Sequence, residues 1–398
     1  MPKQKIAIVS QAIDIGGVGA LVHFIYDALV VSEQYEPTII SLATSSRDDV
    51  SVRLARPDQW HKGVRSKMVP WRDAQVQHIG AHLTELEFMR YRPRKRLTDV
   101  LQSFDLVQIV CGSPAVGKAF VELKQPVCLT LATLLEVERQ ALLADAPLLR
   151  KTWSRLMTRT CQSFEQVALR RADHVFAISQ YTYELANRTI DAHKLSLTPS
   201  GIDTTFFSPA ATYAADGPFI AVGRWADPRK NVRMLFKAYH QMREQITVPR
   251  LMLVGQTRPT EADWAYAVSL GIADDIDICQ NVSRTELAQC YRDASLFLMS
   301  SDEEGLGIVV LEAMASGLPV ISTRSGGPNL IVQDGINGYL VDVGDAEGLA
   351  RQTVALMRDP NKRYVMSETA HAFVMQYYAS EVIATNYLNV YDKLLSKK

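Results

Sequence analysis

Ser301-Asp-Glu-Glu-Gly-Leu-Gly-Ile-Val-Val-Leu-Glu-Ala-Met-Ala-Ser-Gly-Leu-Pro319 follows the apolar run Leu296–Met299, and its reading decides the fold. A strand ends, a glycine-bounded loop follows, and a helix is expected to begin near Gly307. The first N–H groups of a helix have no partner inside it. The amides of Gly305, Leu306, Gly307 and Ile308 would therefore point outward as a site for a diphosphate. Glycine lets the backbone approach a phosphate closely. Glu304 precedes the loop and Glu312 lies eight positions later. At about 1.5 Å of rise per helical residue, their separation is on the order of 10 Å. That matches a diphosphate with a sugar at one end and a ribose at the other, one carboxylate taking adjacent hydroxyls of each ring.

Val222-Gly-Arg-Trp-Ala-Asp-Pro-Arg-Lys-Asn231 has a related form: a strand ends at glycine and cations precede a helix. Arg224 and Lys230, with Arg229 beside them, are suited to clamp the same diphosphate and to neutralise charge growing on a leaving group. Both loops would lie at the carboxyl ends of strands in one sheet, where ligands of doubly wound folds bind.

Strand and helix patterns alternate outward from these loops. In the second half the strands are Phe219–Val222, Arg250–Val254, Asp275–Cys279, Leu296–Met299, Pro319–Ser322 and Tyr339–Val341. In the first half they are Lys5–Ser10, Pro37–Leu42, Leu106–Val110, Val127–Leu131 and His174–Ile178. The glycine turn Asp14–Gly19 leads into a helix over 20–31, and a long amphipathic stretch covers 146–171. Residues 44–100 are polar, Arg-rich and broken by prolines, and show no clear period. The fold class is α/β, with two Rossmann-like doubly wound domains. The boundaries are 1–209 for the first domain and 210–378 for the second. The helical pattern 379–398 is expected to pack back on the first domain.

These residues resemble the retaining glycosyltransferases of family 4, whose fold is GT-B, two such domains facing a central cleft that holds the donor. The resemblance is strongest over 218–357 and continues through Asp173–Ser179, Gly201-Ile-Asp203 and Asp334–Leu340. It implies that Glu304 binds the donor sugar, Glu312 the ribose, and Arg224 and Lys230 the phosphates. Gly16 and Gly17 match the glycine loop that abuts the donor from the first domain, and Asp277 and Ile278 the strand end that faces the base. Two positions depart from the family. Ala132 stands where a histidine is frequent, and Leu330 where a glutamate is common. The implied activity is retaining transfer of a hexose-type sugar from a nucleoside-diphosphate sugar to a hydroxyl of a carbohydrate or lipid-linked acceptor, in glycan, glycolipid or polysaccharide synthesis. A UDP-sugar is the favoured donor and a GDP-sugar the next. No cofactor or metal is expected. A sugar-nucleotide epimerase and a non-catalytic sugar-nucleotide-binding subunit are the alternatives.

The chain has 398 residues, 47% hydrophobic and 22% charged, with formal net charge +0. Nothing in that balance points to nucleic acid. Five cysteines without CxxC spacing read as free thiols of a reducing compartment. With no signal peptide and no long apolar run, the expected place is the cytoplasm, with peripheral contact at the inner membrane face through the first domain. The basic run Arg90–Arg96, with Trp60 and Trp71 before it, is either that contact or an ordinary exposed loop. Asp275-Ile-Asp277 has the spacing of a metal-binding DxD, but it enters a strand here and is read as structural. His78 and His82, spaced i and i+4, read as a helix surface. Gly16-Gly-Val-Gly19 lacks the full dinucleotide fingerprint, which argues against nicotinamide.

Overall fold

The computed structural model describes residues 3–14, 16–43, 45, 48–135 and 148–396. Ile15 of the expected glycine turn and residues 146 and 147 of the expected amphipathic stretch lie outside them. The chain divides into two units, Met1–Ser200 with Ile383–Lys398, and Gly201–Val382.

The first unit carries an eight-stranded sheet of order β3-β4-β2-β1-β5-β6-β7-β8. The strands are β1 (Gln4–Ser10), β2 (Tyr35–Leu42), β3 (Ser66–Trp71), β4 (Ala74–Ile79), β5 (Leu106–Cys111), β6 (Val127–Leu131), β7 (His174–Ala177) and β8 (Leu195–Leu197). The strand period of two sends alternate residues to opposite faces. Ala7 and Val9 join one apolar core, while Ile6 and Ile8 join the other. β1 can therefore be apolar at every position from Ile6 to Val9, because both of its faces are covered.

Residues 44–100 differ from the expectation. They hold the antiparallel pair β3–β4, whose second strand runs parallel to β2. The turn between them, Arg72-Asp73, has no glycine to announce it. Arg72 adopts φ +50, and its guanidinium is held by Asp27 at 2.5 and 2.9 Å and lies 4.7 Å over the Trp71 ring. Pro70 is tolerated because β3 is an edge strand. His78 lies in β4, not on a helix, between Ser41 at 2.9 Å and Asp48 at 2.7 Å. Trp71 is buried and donates to the Ile13 carbonyl, so it is no surface anchor. The Arg90–Arg96 run is not one exposed loop either. It spans the end of helix Glu87–Arg90 and the start of helix Lys95–Leu101. Arg94 is only 3% exposed, and its guanidinium has no hydrogen-bond partner among the described residues. Burial lowers its pKa to about 10.

The helix expected from residue 20 begins at Gly16 and runs Gly16–Val31. The glycines belong to its first turn. Gly19 has no room for a side chain, because a Cβ would sit 2.8 Å from the Asp14 backbone.

Helix Ser380–Leu395 places Ile383, Tyr387, Tyr391 and Leu395 at four-residue intervals in the core of the first unit. Tyr387 stacks on Phe176 with ring centroids 4.2 Å apart. The Tyr391 hydroxyl donates to Gln108 Oε1 at 2.7 Å, and Gln108 itself is fully buried in β5.

The second unit carries β9 (Phe219–Val222), β10 (Leu251–Gly255), β11 (Ile276–Gln280), β12 (Leu296–Met299), β13 (Val320–Thr323) and β14 (Gly338–Val341), in the order β11-β10-β9-β12-β13-β14. All its strand pairings are parallel. Phe219 and Ala221 face one core and Ile220 the other. Among the described residues no helix is long and apolar enough to cross a membrane.

Replacing Tyr391 with Phe leaves the buried Gln108 acceptor unpaired. We expect a loss of about 1–3 kcal/mol, and about 3–5 kcal/mol for Tyr391→Ala, read from urea unfolding of the full chain.

Candidate functional site

β9 and β12 are neighbours in the second sheet, so the loops that leave their carboxyl ends emerge side by side. Backbone and side-chain hydrogen bonds join them. The Asp302 amide donates to the Arg229 carbonyl at 2.7 Å, and Ser300 Oγ to the Lys230 carbonyl at 2.9 Å. Asn231, at φ +43, caps helix Val232–Arg243 and gives its side-chain amide to Asp302 at 2.8 Å.

These bonds set Lys230 opposite Glu304. Lys230 Nζ donates to Glu304 Oε1, and the side chains are only 15% and 14% exposed. Ser301 Oγ donates to the same oxygen at 3.2 Å. Glu304 Oε2 has no hydrogen-bond partner among the described residues. The ammonium, with three donors, has used one. Burial of both groups gives the pair its weight: removing either leaves a largely buried charge without its counter-charge.

Beyond Glu304 the chain is shaped by a second glycine pair. The Glu304 amide donates to the Ser325 carbonyl, and the Gly327 amide to the Glu304 carbonyl. A Cβ on Gly327 would lie 2.4 Å from the Leu306 backbone, so only glycine permits this approach. Gly307, at φ +78, then turns the chain into helix Ile308–Ala315, which Val310, Leu311, Ala313 and Met314 anchor in the core. The amides of Gly305, Leu306, Gly307 and Ile308 donate to no acceptor among the described residues. A Cβ on Gly305 would meet no atom within 4 Å, so that side of the loop is open. These amides, with the positive end of the helix dipole, suit an anion.

Glu312 lies one turn into that helix. Its Oε2 accepts from the Tyr291 hydroxyl at 3.0 Å. Burial pushes its carboxyl up to about 7, against the opposing effects of the Tyr291 hydrogen bond and the positive charge of Arg284.

The other expected residues are less tightly grouped. Arg224 is in the same loop as Lys230, but its side chain is 59% exposed and turned to Asp227 at 3.1 Å. Arg229 shares that aspartate at 2.8 Å and holds its carboxyl below the usual range. Asp277 is not at the ligand end of its strand. It is the second residue of β11, its carboxylate is gripped by Arg250 at two distances of 2.7 Å, and the strand end is Cys279–Gln280. Ile278, next in β11, is half-buried against the core. Asp275 pairs with Arg243 at 2.8 Å, so both carboxylates of the DxD spacing are committed to arginines. Gly16 and Gly17 open the first helix of the other unit, and a Cβ on Gly17 would meet no atom within 4 Å.

Several contributors carry no signal in the sequence. Asn231 and Asp302 act through a bond across 71 positions. Tyr291 is an unremarked position in helix Arg284–Asp293. Gly326-Gly327 was findable, as a glycine pair just after a strand.

Two family models match the chain. "Glycosyl transferases group 1" covers residues 218–359, and "Glycosyltransferase Family 4" covers 15–206. The lipopolysaccharide core biosynthesis glycosyltransferase LpsE of Rhizobium meliloti is 34% identical over 44% of this chain and 50% of its own. The GDP-mannose-dependent alpha-(1-6)-phosphatidylinositol monomannoside mannosyltransferase of Mycolicibacterium smegmatis is 32% identical over 50% and 58%. The chain thus spans about half the length of these curated relatives. The crystal structure of Anabaena HepE in complex with UDP has a TM-score of 0.71 at 17% identity, covering 98% of this chain and 100% of that one. The fold is that of the GT-B glycosyltransferases, and the chain belongs to glycosyltransferase family 4, the group 1 glycosyl transferases.

Proposed function

We propose that the chain is a retaining glycosyltransferase that moves a hexose-type sugar from a nucleoside-diphosphate sugar to a hydroxyl of a carbohydrate or lipid-linked acceptor, in glycan or glycolipid synthesis. One observation carries the reading. Four unpaired amides at a helix start adjoin the Lys230–Glu304 pair, with Glu312 one turn further on. In this reading the amides of Gly305–Ile308 hold the β-phosphate. Lys230 keeps two donors for the diphosphate while it orients Glu304, whose Oε2 takes sugar hydroxyls. Glu312 takes the ribose, and Arg224 swings from Asp227 to the phosphates. A UDP-sugar is the favoured donor, supported by the UDP complex of HepE, and a GDP-sugar the next, supported by the GDP-mannose-dependent relative.

Retention of configuration follows if the acceptor hydroxyl attacks on the face from which the diphosphate leaves. The departing phosphate oxygen takes its proton, so no protein nucleophile is needed. The protein then contributes positioning and stabilisation of the leaving charge. Protein cations and amides do that here, so transfer is expected to survive EDTA unchanged. For a lipid-linked acceptor, we assign membrane contact to exposed Leu54 and Trp60. These are tied together through the Trp60 indole, which donates to the Arg53 carbonyl.

Ala132, half-buried against the core, supplies no imidazole, and this favours a second reading of binding without turnover. Sugar transfer or slow donor hydrolysis by the purified chain would dismiss it.

Thermal-shift titration with UDP, GDP and their sugar conjugates tests the main reading, since a ligand of the native state raises the melting temperature. One nucleotide should stabilise selectively, and Arg224→Ala should weaken it. Glu312→Ala should lose most of the nucleotide affinity, whereas Glu304→Ala should retain it and lose turnover at least about 100-fold. Normal transfer by both glutamate variants would refute the assignment.

The Glu312 carboxyl has a pH signature. Its folded pKa, about 7, is above its ordinary value, so the folded state binds the extra proton below neutrality. Stability from this group is present at low pH and is lost as pH rises towards 7. Ribose binding requires the ionised form, so nucleotide affinity should fall as pH drops below 7, approaching tenfold per unit. Glu312→Gln should retain only the slope belonging to the nucleotide itself.

A further inference from the structure

In the first sheet the chain builds outward from β1 to β2 on one side, then returns to place β5 on the other. The connections leaving the carboxyl ends of β1 and β5 diverge, and such switch points open crevices. A recess of about 420 Å³ lies there, lined among others by Gln11 after β1, Gly112 and Ser113 after β5, and Glu87, Arg90 and Tyr91 from the segment between. The described residues that line it all belong to the first unit, and none of them is assigned above to the donor.

The polar groups of this recess are held but not all satisfied. Ser113 Oγ donates at 2.7 Å to the buried carboxylate of Glu165, which also accepts the Leu135 amide at 3.0 Å, so this wall is fixed. Glu87 accepts from the Tyr91 hydroxyl at 3.2 Å. Arg90 gives only its Nε, to the Thr84 carbonyl at 2.7 Å. Its two terminal nitrogens have no hydrogen-bond or ion-pair partner among the described residues, Glu87 included. The Gln11 carboxamide has no partner among them either. The one bond Arg90 makes fixes the plane of the guanidinium and leaves free the edge that binds carboxylate or phosphate through two parallel hydrogen bonds.

We propose that the recess is the acceptor pocket, and that it takes a hydroxylated acceptor carrying a phosphate or carboxylate, with Arg90 on the anionic group and Gln11 and Glu87 on hydroxyls. The proposal rests on the transferase reading above. It names the class of acceptor and the residues that choose it.

The test uses the full chain and three probes of one scaffold, glucose, glucose 6-phosphate and glucuronate, by calorimetry and thermal shift. At least one charged probe should bind ten times or more tightly than glucose. Arg90→Met should abolish that preference, and Arg90→Lys should keep part of it. Gly112→Leu is a second variant. A Cβ at Gly112 meets no atom within 4 Å, so the larger side chain extends into free space and should block every probe. In each variant the response to UDP or GDP should equal that of the unaltered chain, which also shows that the protein is folded. Equal binding of glucose and the charged probes overturns the proposal, as does any charged-probe binding that Arg90→Met leaves intact. Nucleotide binding with no Arg90-dependent probe binding overturns it while leaving the transferase reading standing. Arg90-dependent probe binding in a chain that binds no nucleotide would leave an anion site in the recess but overturn its role as an acceptor pocket, together with the transferase reading.

Discussion

The Lys230–Glu304 ion pair is the contact on which the second unit's ligand-facing surface depends. It joins the loop after β9 to the loop after β12, and both side chains are largely withdrawn from water. Such a pair contributes little net stability relative to an apolar substitute, because desolvation offsets attraction. Its value is in geometry. It commits one oxygen of Glu304 and one donor of Lys230, and leaves the other oxygen and the other two donors without partners among the described residues. The backbone bonds from Asp302 to Arg229 and from Ser300 to Lys230 hold the two loops in register, so the pair does not have to recruit its partners from mobile side chains.

Beneath these loops lies the ordinary constraint of a parallel sheet covered on both faces. Strands buried twice over must be apolar at successive positions. The polar work then falls to the residues just beyond their carboxyl ends. Both units follow this rule. In the second unit it yields the ion pair and the unpaired amides of Gly305–Ile308. In the first it yields the recess between the ends of β1 and β5. The same architecture, used twice, offers one site with an excess of backbone donors and another with a free guanidinium edge.

Much of this was legible in the chain. β6, β9 and β12 have the bounds that their apolar runs indicate, because short β-branched and aromatic runs between glycine and polar breaks have few other uses. The helix start after Gly307 was legible for a related reason, since a glycine loop between a strand and an apolar helix leaves few backbone paths. The hairpin β3–β4 was not legible. Its turn is Arg72-Asp73, its edge strand contains Pro70, and Arg72 is held by Asp27, 45 positions away, which no local pattern encodes. The placement of Asp277 failed for the same kind of reason. A strand's sequence does not say which of its residues reaches the ligand end, and Arg250, just before the neighbouring strand, claims that carboxylate.

The sequence by itself determined the alternation of strands and helices, the two-part organisation and the glycine loops, because each follows from local periodicity and backbone freedom. Only the tertiary structure decided which groups meet and which remain free. Lys230 and Glu304 are 74 positions apart, and Tyr291 and Glu312 are 21 apart. Whether Arg90 is paired depends on where Glu87 and Thr84 fall around it. Partner choice across such distances is set by the register of strands and the packing of helices. Those are properties of the assembled core, with no counterpart in any short stretch of chain.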